Sequence, residues 1–466
     1  MPARATMTVT PSKPVPLLDR RPDAVLFRAP SRDVTAAMFL ADVQALAAAL
    51  PEAGAVVNLC EDRYRFTVAF AAAVLRGQVS LLSSDRSPAR LADLAAQFPN
   101  LYALADRAPE PGLPLPVFSV GATGAAGGDP GGAGGDPGAP PSIPATQLAA
   151  LVFTSGSTGE PVAHRKLWGA LAARSRDAGR RFRMAAARPA NVVGTVPAQH
   201  MYGFETTVLL PLHAPAASWC GAAFYPEDIR AALAAVPGPR VLVTTPLQIR
   251  ALLQSGAALP ALDRVISATA PLYPDLAGEA EVRWHTEVWE IFGATEVGSI
   301  ASRRTAADEV WTAYPRTRLR TGLTGAGQEE MLVSSPFSDP LVLSDLVERL
   351  DPMRFRLLGR RTDVVKLGGR RTSLAGLNRF LTSLDGVVDG AFVAPDDLES
   401  RPTARLLAFV VAPGVTAEAL MAQLRGRVDP LFLPRRIVHV DAMPRNATGK
   451  LPEHALAELR ARAGEA

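Results

Sequence analysis

Four hydroxyl side chains and two glycines fall within six residues at Thr154-Ser155-Gly156-Ser157-Thr158-Gly159. Gly156 and Gly159 lack the Cβ that keeps a backbone away from an oxyanion, so successive N–H groups can form an anion nest. The hydroxyls add donors that rotate to suit a phosphate. Taken alone, the cluster reads equally well as a polar surface loop. It is not a Walker loop, because no Gly-Lys-Ser/Thr closes it, nor a dinucleotide fingerprint, because no G-x-G-x-x-G is present. Three further groups stand downstream: Phe292-Gly293-Ala294-Thr295-Glu296, then Asp345 followed by Gly359-Arg360, then Asn446-Ala447-Thr448-Gly449-Lys450. Each is weak by itself. Alone, Glu296 reads as a solvated strand-end charge, Asp345 as a turn cap and Lys450 as a surface lysine.

The elements that must position these groups are legible from hydrophobic period. An apolar run over Leu148 to Phe153 leads into the hydroxyl-glycine loop, and a helical pattern takes over at about Leu167. Upstream, residues 37–50 and Phe66 to Leu75 read as helices, Ala55 to Cys60 and Val79 to Leu82 as strands. Downstream come strand candidates at Asn191 to Val196, Arg240 to Thr244, Arg264 to Ser267 and Glu287 to Phe292, with an apolar helix opening at His200 and running through Leu212. The alternation predicts a layered α/β domain with a largely parallel sheet. Residues 121–144 interrupt it with nine glycines and five prolines, which reads as a flexible insertion inside one domain. Beyond Arg320 the pattern changes to short strands and turns. From about residue 362 the order is hairpin, helix, strand, strand, helix, strand, loop and helix, a small α+β unit. The expected division is 1–361 and 362–466.

Length, at 466 residues, allows two or three domains, and 48% hydrophobic with 20% charged residues is the composition of a packed globular chain. A net charge of +4 is small for this length, so nucleic acid is not expected as a partner. Cys60 and Cys220 are too few for a disulfide framework and have no metal-ligand spacing. The N-terminus has no apolar leader core and no run approaches 18 apolar residues, so no membrane insertion is expected, and the cytoplasm is the default location.

In this order and at these spacings, the four groups together closely resemble the adenylate-forming superfamily of acyl- and aryl-CoA ligases, peptide adenylation domains and beetle luciferases. The resemblance covers roughly residues 145 to 455. It implies a large layered N-terminal α/β domain and a small C-terminal α+β domain on a hinge. It also implies an ATP-dependent acid–thiol ligase, in which a carboxylate attacks the α-phosphate of ATP and the acyl-adenylate then meets a thiol. Two anions must approach each other, so donors and positive charge have to be placed in advance. By resemblance, Thr154 to Gly159 wrap the β/γ-phosphates, Gly293, Ala294 and Thr295 line the phosphate, and Glu296 helps hold Mg²⁺, a hard cation that takes oxygen ligands. Asp345 accepts from the ribose hydroxyls beside Arg360, Arg371 faces the adenylate or the thiol donor, and Lys450 bridges the substrate carboxylate and the α-phosphate. His200 stands where a gate to the acid pocket often lies, with a core or capping histidine as the plain alternative.

Some positions depart from the family pattern. The loop usually continues Pro-Lys-Gly but here reads Pro161-Val162-Ala163, so the missing charge is expected either from the nearest basic residues, His164, Arg165 and Lys166, or from the loop's hydroxyls with Mg²⁺. Thr362 stands where an aspartate is usual, with Asp363 next, leaving the pivot open between the two. Met201, Tyr202, Phe204, Trp289 and Phe292 suggest an aromatic or unsaturated small carboxylic acid; Glu205 is the one candidate for an ammonium anchor. No carrier segment is fused, so the thiol is expected in trans, from coenzyme A or a phosphopantetheinyl acyl carrier protein. Eight Lys/Arg against four Asp/Glu between Asp345 and Arg371 suit either donor, and their spread along the chain favours the carrier. The alternative from another class is a catalytically weakened nucleotide-binding sensor or scaffold, supported by Val162 and Thr362.

Overall fold

In the computed structural model, residues 13–108, 112–122, 138–155, 161–323, 329–335, 338–343, 345–360, 364–367, 370–395, 405–445, 451 and 453–462 are described. Two large sheets organise the chain. The first has six strands in the order Pro161–Leu167, Leu148–Ser155, Val79–Leu82, Ala55–Asn58, Tyr102–Ala105, Val117–Ser119. All its pairings are parallel except at the edge, where Pro161–Leu167 runs antiparallel to Leu148–Ser155. Parallel strands covered on both faces need continuous apolar runs, and Ala55–Asn58 and Tyr102–Ala105 are buried throughout.

The second sheet has eleven strands. Val25–Arg28, Ala216–Trp219, Ala190–Gly194, Arg240–Thr244, Arg264–Ser267 and Glu287–Ala294 lie side by side and parallel. Beyond them Gly298–Arg304, Trp311–Ala313, Arg354–Arg360 and Asp345–Arg349 continue antiparallel. The sheet is therefore parallel only in its middle. Helix starts follow local rules: Thr35, Asp62, Ser87 and Thr245 each accept a hydrogen bond from a first-turn N–H, which satisfies an otherwise orphaned donor.

The helix expected from about Leu167 is Trp168–Arg181, and the stretch before it, left unassigned by the sequence pattern, is an edge strand, Pro161–Leu167. One expectation needed correction. The segment 121–144 is anchored at its far end: Ser142–Ile143 pairs with Val15–Pro16, and Ile143 is buried. Residues 123–137 lie outside the described residues.

The C-terminal unit follows the expected order, with helix Leu374–Thr382, strands Asp389–Val393 and Leu407–Val411, helix Ala417–Arg425, strand Arg436–His439 and helix Glu453–Arg462. It has its own core, built on Leu377, Leu381, Phe392, Ala408, Leu420 and Leu424. Among the described residues, polar contacts tie its first helix to the larger part. Arg250 Nη1 donates to Thr382 O at 2.7 Å, Tyr273 Oη to Ala375 O at 2.8 Å, and Arg379 Nη2 meets Asp275 Oδ2 at 2.9 Å. Among the described residues, no helix is long and apolar enough to cross a membrane.

Candidate active site

The last parallel strand of the second sheet, Glu287–Ala294, turns into Gly298–Arg304 through Thr295, Glu296 and Val297. Carboxyl ends of parallel strands are where open α/β sheets bind ligands. The turn is tight. Ala294 opposes Gly298, and the register shifts between Phe292 and Gly293. A Cβ at Gly293 would stand 2.7 Å from Gly298 O, so only glycine lets the two backbones approach this closely. Gly298 has φ +79°, a left-handed conformation that a side chain would strain. Phe292 packs against Trp311 and Phe355 and anchors the strand before the bulge.

Beneath the turn lies a group of buried charges. Lys166, 6% exposed, donates from Nζ to Thr295 O at 2.6 Å and Glu296 O at 2.8 Å. Arg174, 4% exposed, donates to Val297 O at 3.2 Å and to Thr317 Oγ1 at 3.0 Å. Glu205 accepts from Ser299 N at 3.3 and 3.1 Å and from Ser299 Oγ. Desolvation lowers the Lys166 pKa to about 8 against the upward pull of Glu205 and Glu296, and lowers that of Arg174 as well. Desolvation and the Glu205 carboxylate together raise that of Tyr314.

This arrangement corrects two sequence expectations. Glu205 is not an ammonium anchor: it is spent on Ser299 and borders a cavity of about 10 Å³, too small for an organic acid. Lys166 is not available to a phosphate, because its ammonium is turned inward onto carbonyls. Arg165 lies exposed on the other side of the strand. His164, half-buried on the Lys166 side, has its pKa lowered by desolvation, with Glu296 pulling it back up.

The hydroxyl-glycine loop grows from the same hairpin. Thr154 opposes Val162 and Ser155 opposes Pro161, while residues 156–160, with Gly156, Ser157, Thr158 and Gly159, lie outside the described residues. Lys166 thus joins the strand leaving that loop to the Thr295–Glu296 turn. Asp345 and Arg360 are direct partners across their strand pair, in the same sheet as the turn. Arg371 opposes Lys366 in the hairpin Val364–Leu367 with Arg370–Ser373. The side chains of Arg360 and Arg371, all of Lys450, and the pivot candidates Thr362 and Asp363 lie outside the described residues. His200 is half-buried ahead of the short helix Met201–Gly203, and its carbonyl accepts from Phe204 N at 2.7 Å. The helix runs on through a π segment, Phe204–Leu209, to Leu210–His213.

Most of the aromatic residues expected to line an acid pocket are core. Phe204 is fully buried, and Tyr202 Oη donates to Ile266 O at 2.8 Å. Trp289 packs on Phe182, with the Arg181 guanidinium 4.8 Å from its ring centroid. Three of the eight basic residues of the strip are ion-paired among the described residues. Arg354 meets Asp351 at 2.7 Å, Arg356 meets Glu348 at 3.0 Å, and Arg370 pairs with Asp429. What sequence reasoning missed is a cavity of about 930 Å³ at the carboxyl ends of Val25–Arg28, Ala190–Gly194 and Ala216–Trp219. Arg32, Arg65 and Arg107 line it together with Asp42, Glu61 and Asp106. No local pattern could have found it, since its wall comes from seven separated segments.

The chain thus combines two large α/β sheets, a glycine-dependent turn and an Asp–Arg strand pair in the second, and the base of the hydroxyl-glycine hairpin in the first. Residues 18–333 match the AMP-binding enzyme family, and residues 379–450 match the AMP-binding enzyme C-terminal domain. The chain belongs to this family, within the adenylate-forming superfamily. It is 31% identical over 321 residues to a 4-coumarate–CoA ligase of Rhodobacter capsulatus, covering 66% of this chain and 75% of that one. Its fold is that of ATP-bound MatB from Rhodopseudomonas palustris, with TM-score 0.78, 20% identity, and 95% and 97% of the two chains covered. The anthranilate CoA ligase AuaEII in complex with anthranoyl-AMP shares the fold at TM-score 0.76, 16% identity and 95% of both chains.

Proposed function

We propose that this chain is an ATP-dependent carboxylic acid–thiol ligase acting on an aromatic or unsaturated acid. The observation that carries the reading is the physical union of the hydroxyl-glycine hairpin with the Thr295–Glu296 turn through Lys166. A substrate carboxylate oxygen bonds to the α-phosphorus of ATP as the bond from that phosphorus to the β-phosphate oxygen breaks, giving acyl-AMP and pyrophosphate. The thiol sulfur then attacks the acyl carbon, loses its proton, and AMP leaves. In this reading Thr154 to Gly159 hold the β/γ-phosphates, with Gly293, Ala294 and Thr295 along the phosphate chain. Asp345 and Arg360 hold the ribose. Lys450 lies between the carboxylate and the α-phosphate, and His200 stands at the acid entrance.

Glu296 fits a magnesium ion by donor chemistry: Lys166 holds its backbone carbonyl, which leaves the half-buried carboxylate for an oxygen-seeking cation. When bound, the ion would neutralise phosphate charge.

The choice of acid rests on the 4-coumarate–CoA ligase relative and not on the aromatic residues, which are core. The thiol is a phosphopantetheine, in coenzyme A or on an acyl carrier protein; ion pairs at Arg354, Arg356 and Arg370 weaken the argument from the basic strip that favoured the carrier. The small domain, from about residue 362, would swing between the two half-reactions. The test is acid-dependent exchange of pyrophosphate into ATP across 4-coumarate, benzoate, anthranilate and saturated acids, followed by product formation with coenzyme A or with a phosphopantetheinylated carrier. Exchange with an aryl or enoic acid is expected. ATP binding with no exchange for any acid would overturn the ligase reading.

A further inference from the structure

Three consecutive backbone carbonyls, those of Thr295, Glu296 and Val297, accept from buried cations. Both cations come from the continuous stretch that follows the hydroxyl-glycine loop: Lys166 from Pro161–Leu167 and Arg174 from Trp168–Arg181. From the other side Glu205 grips Ser299, the second residue of the outgoing strand, through its N–H and hydroxyl.

A buried ammonium is expensive. Removing one from water is strongly unfavourable, and apolar replacements of buried charges are often as stable or more so. Lys166 has no direct ion pair among the described residues; its two hydrogen bonds go to carbonyls. An apolar residue at this point of an edge strand would serve the core as well but would leave two turn carbonyls without a donor. The chemistry of the residue therefore matches what it holds and not where it is buried.

We propose that Lys166 is a positioning residue for acyl-adenylate formation: it locks the Thr295–Glu296 turn to the hairpin that carries the hydroxyl-glycine loop, so that both approach ATP as one rigid unit. This rests on the ligase reading above. The lock works on backbone, so Thr295 and Glu296 side chains remain for the substrate. Arg174 and Glu205 complete it, with one holding the end of the turn and the other the start of the outgoing strand. Support of this kind fixes a site to within the tolerance that chemistry needs, and a misplacement of about 1 Å costs on the order of 10²-fold in rate.

The experiment compares Lys166→Met with Lys166→Arg, which restores a cationic donor. Pyrophosphate exchange reports the first half-reaction, and transfer from supplied acyl-adenylate to the thiol reports the second. Lys166→Met should slow exchange about 10²-fold, at least tenfold more than it slows transfer, and Lys166→Arg should recover a large part. Loss of packing alone lowers the folded fraction and therefore both half-reactions by one common factor. Equal losses, or an unchanged exchange rate in folded Lys166→Met, would overturn the proposal. If the methionine variant does not fold, Lys166→Gln, which keeps an uncharged N–H donor, is read by the same ratio. Lack of exchange in the unaltered protein counts instead against the ligase reading.

Discussion

His213 ends the helical run that carries Glu205, and its ring packs on Trp168, which opens the helix that carries Arg174. It is 5% exposed, and neither ring nitrogen has a hydrogen-bond partner among the described residues. Burial, with a smaller contribution from Arg176, lowers its pKa from 6.5 to about 3. Between those two values the unfolded chain binds this proton and the folded chain does not, so acidification favours unfolding throughout that window. At pH 5 the difference is worth about 2 kcal/mol relative to neutral pH, at 1.36 kcal/mol per pKa unit. His213→Leu, close in volume, removes the group. Urea unfolding followed by tryptophan fluorescence at pH 7 and pH 5 should show the wild type losing about 2 kcal/mol that the variant keeps. At pH 7 the variant should be as stable or more so, because an unsatisfied buried polar group costs about 1–3 kcal/mol. Parallel pH dependence in the two proteins would refute the reasoning, since it would mean that the imidazole accepts its proton without leaving the core.

Gly293→Ala should cost about 1–3 kcal/mol of stability by overpacking and slow pyrophosphate exchange, because its Cβ would push on Gly298 O at 2.7 Å; thermal melts and exchange rates check both. Lys450→Ala should slow exchange by about 10²–10³ while leaving thiol transfer from supplied acyl-adenylate near wild type, so an equal loss in both steps would contradict its assignment to the adenylation state. Deleting residues 124–136 should leave melting temperature and turnover close to wild type. The cut spares Pro141, whose carbonyl accepts from Leu17 N at 2.8 Å, and a sharp fall in either quantity would show that the segment takes part in the site.

Local pattern carried much of the fold. The small unit was legible because its strands and helices have distinct periods and clear caps, such as Ser373 and Thr416. The Thr295–Glu296 turn and the Asp345–Arg360 pair were legible as spaced residue types. Pro161–Leu167 was not, because an edge strand bearing His164, Arg165 and Lys166 looks like a solvated approach to a helix. The roles of Lys166 and Glu205 were invisible for a related reason: their partners, Thr295 and Ser299, lie more than 90 residues away. Tyr202, Phe204 and Trp289 misled because an aromatic residue reads alike whether it lines a pocket or fills a core.

The three contacts between helix Leu374–Thr382 and the larger part have a kinetic consequence. One is an exposed ion pair, Arg379 with Asp275, worth about 0–1 kcal/mol. The other two are single hydrogen bonds to carbonyls, of order 1 kcal/mol each. Binding this weak between separate molecules would go unnoticed. On one chain, a short connection supplies an effective concentration in the millimolar range. Among the described residues, the polar contacts of this helix would give the small unit a light hold that its tether reinforces. A pose held this lightly is expected to break on the microsecond-to-millisecond scale of domain motion.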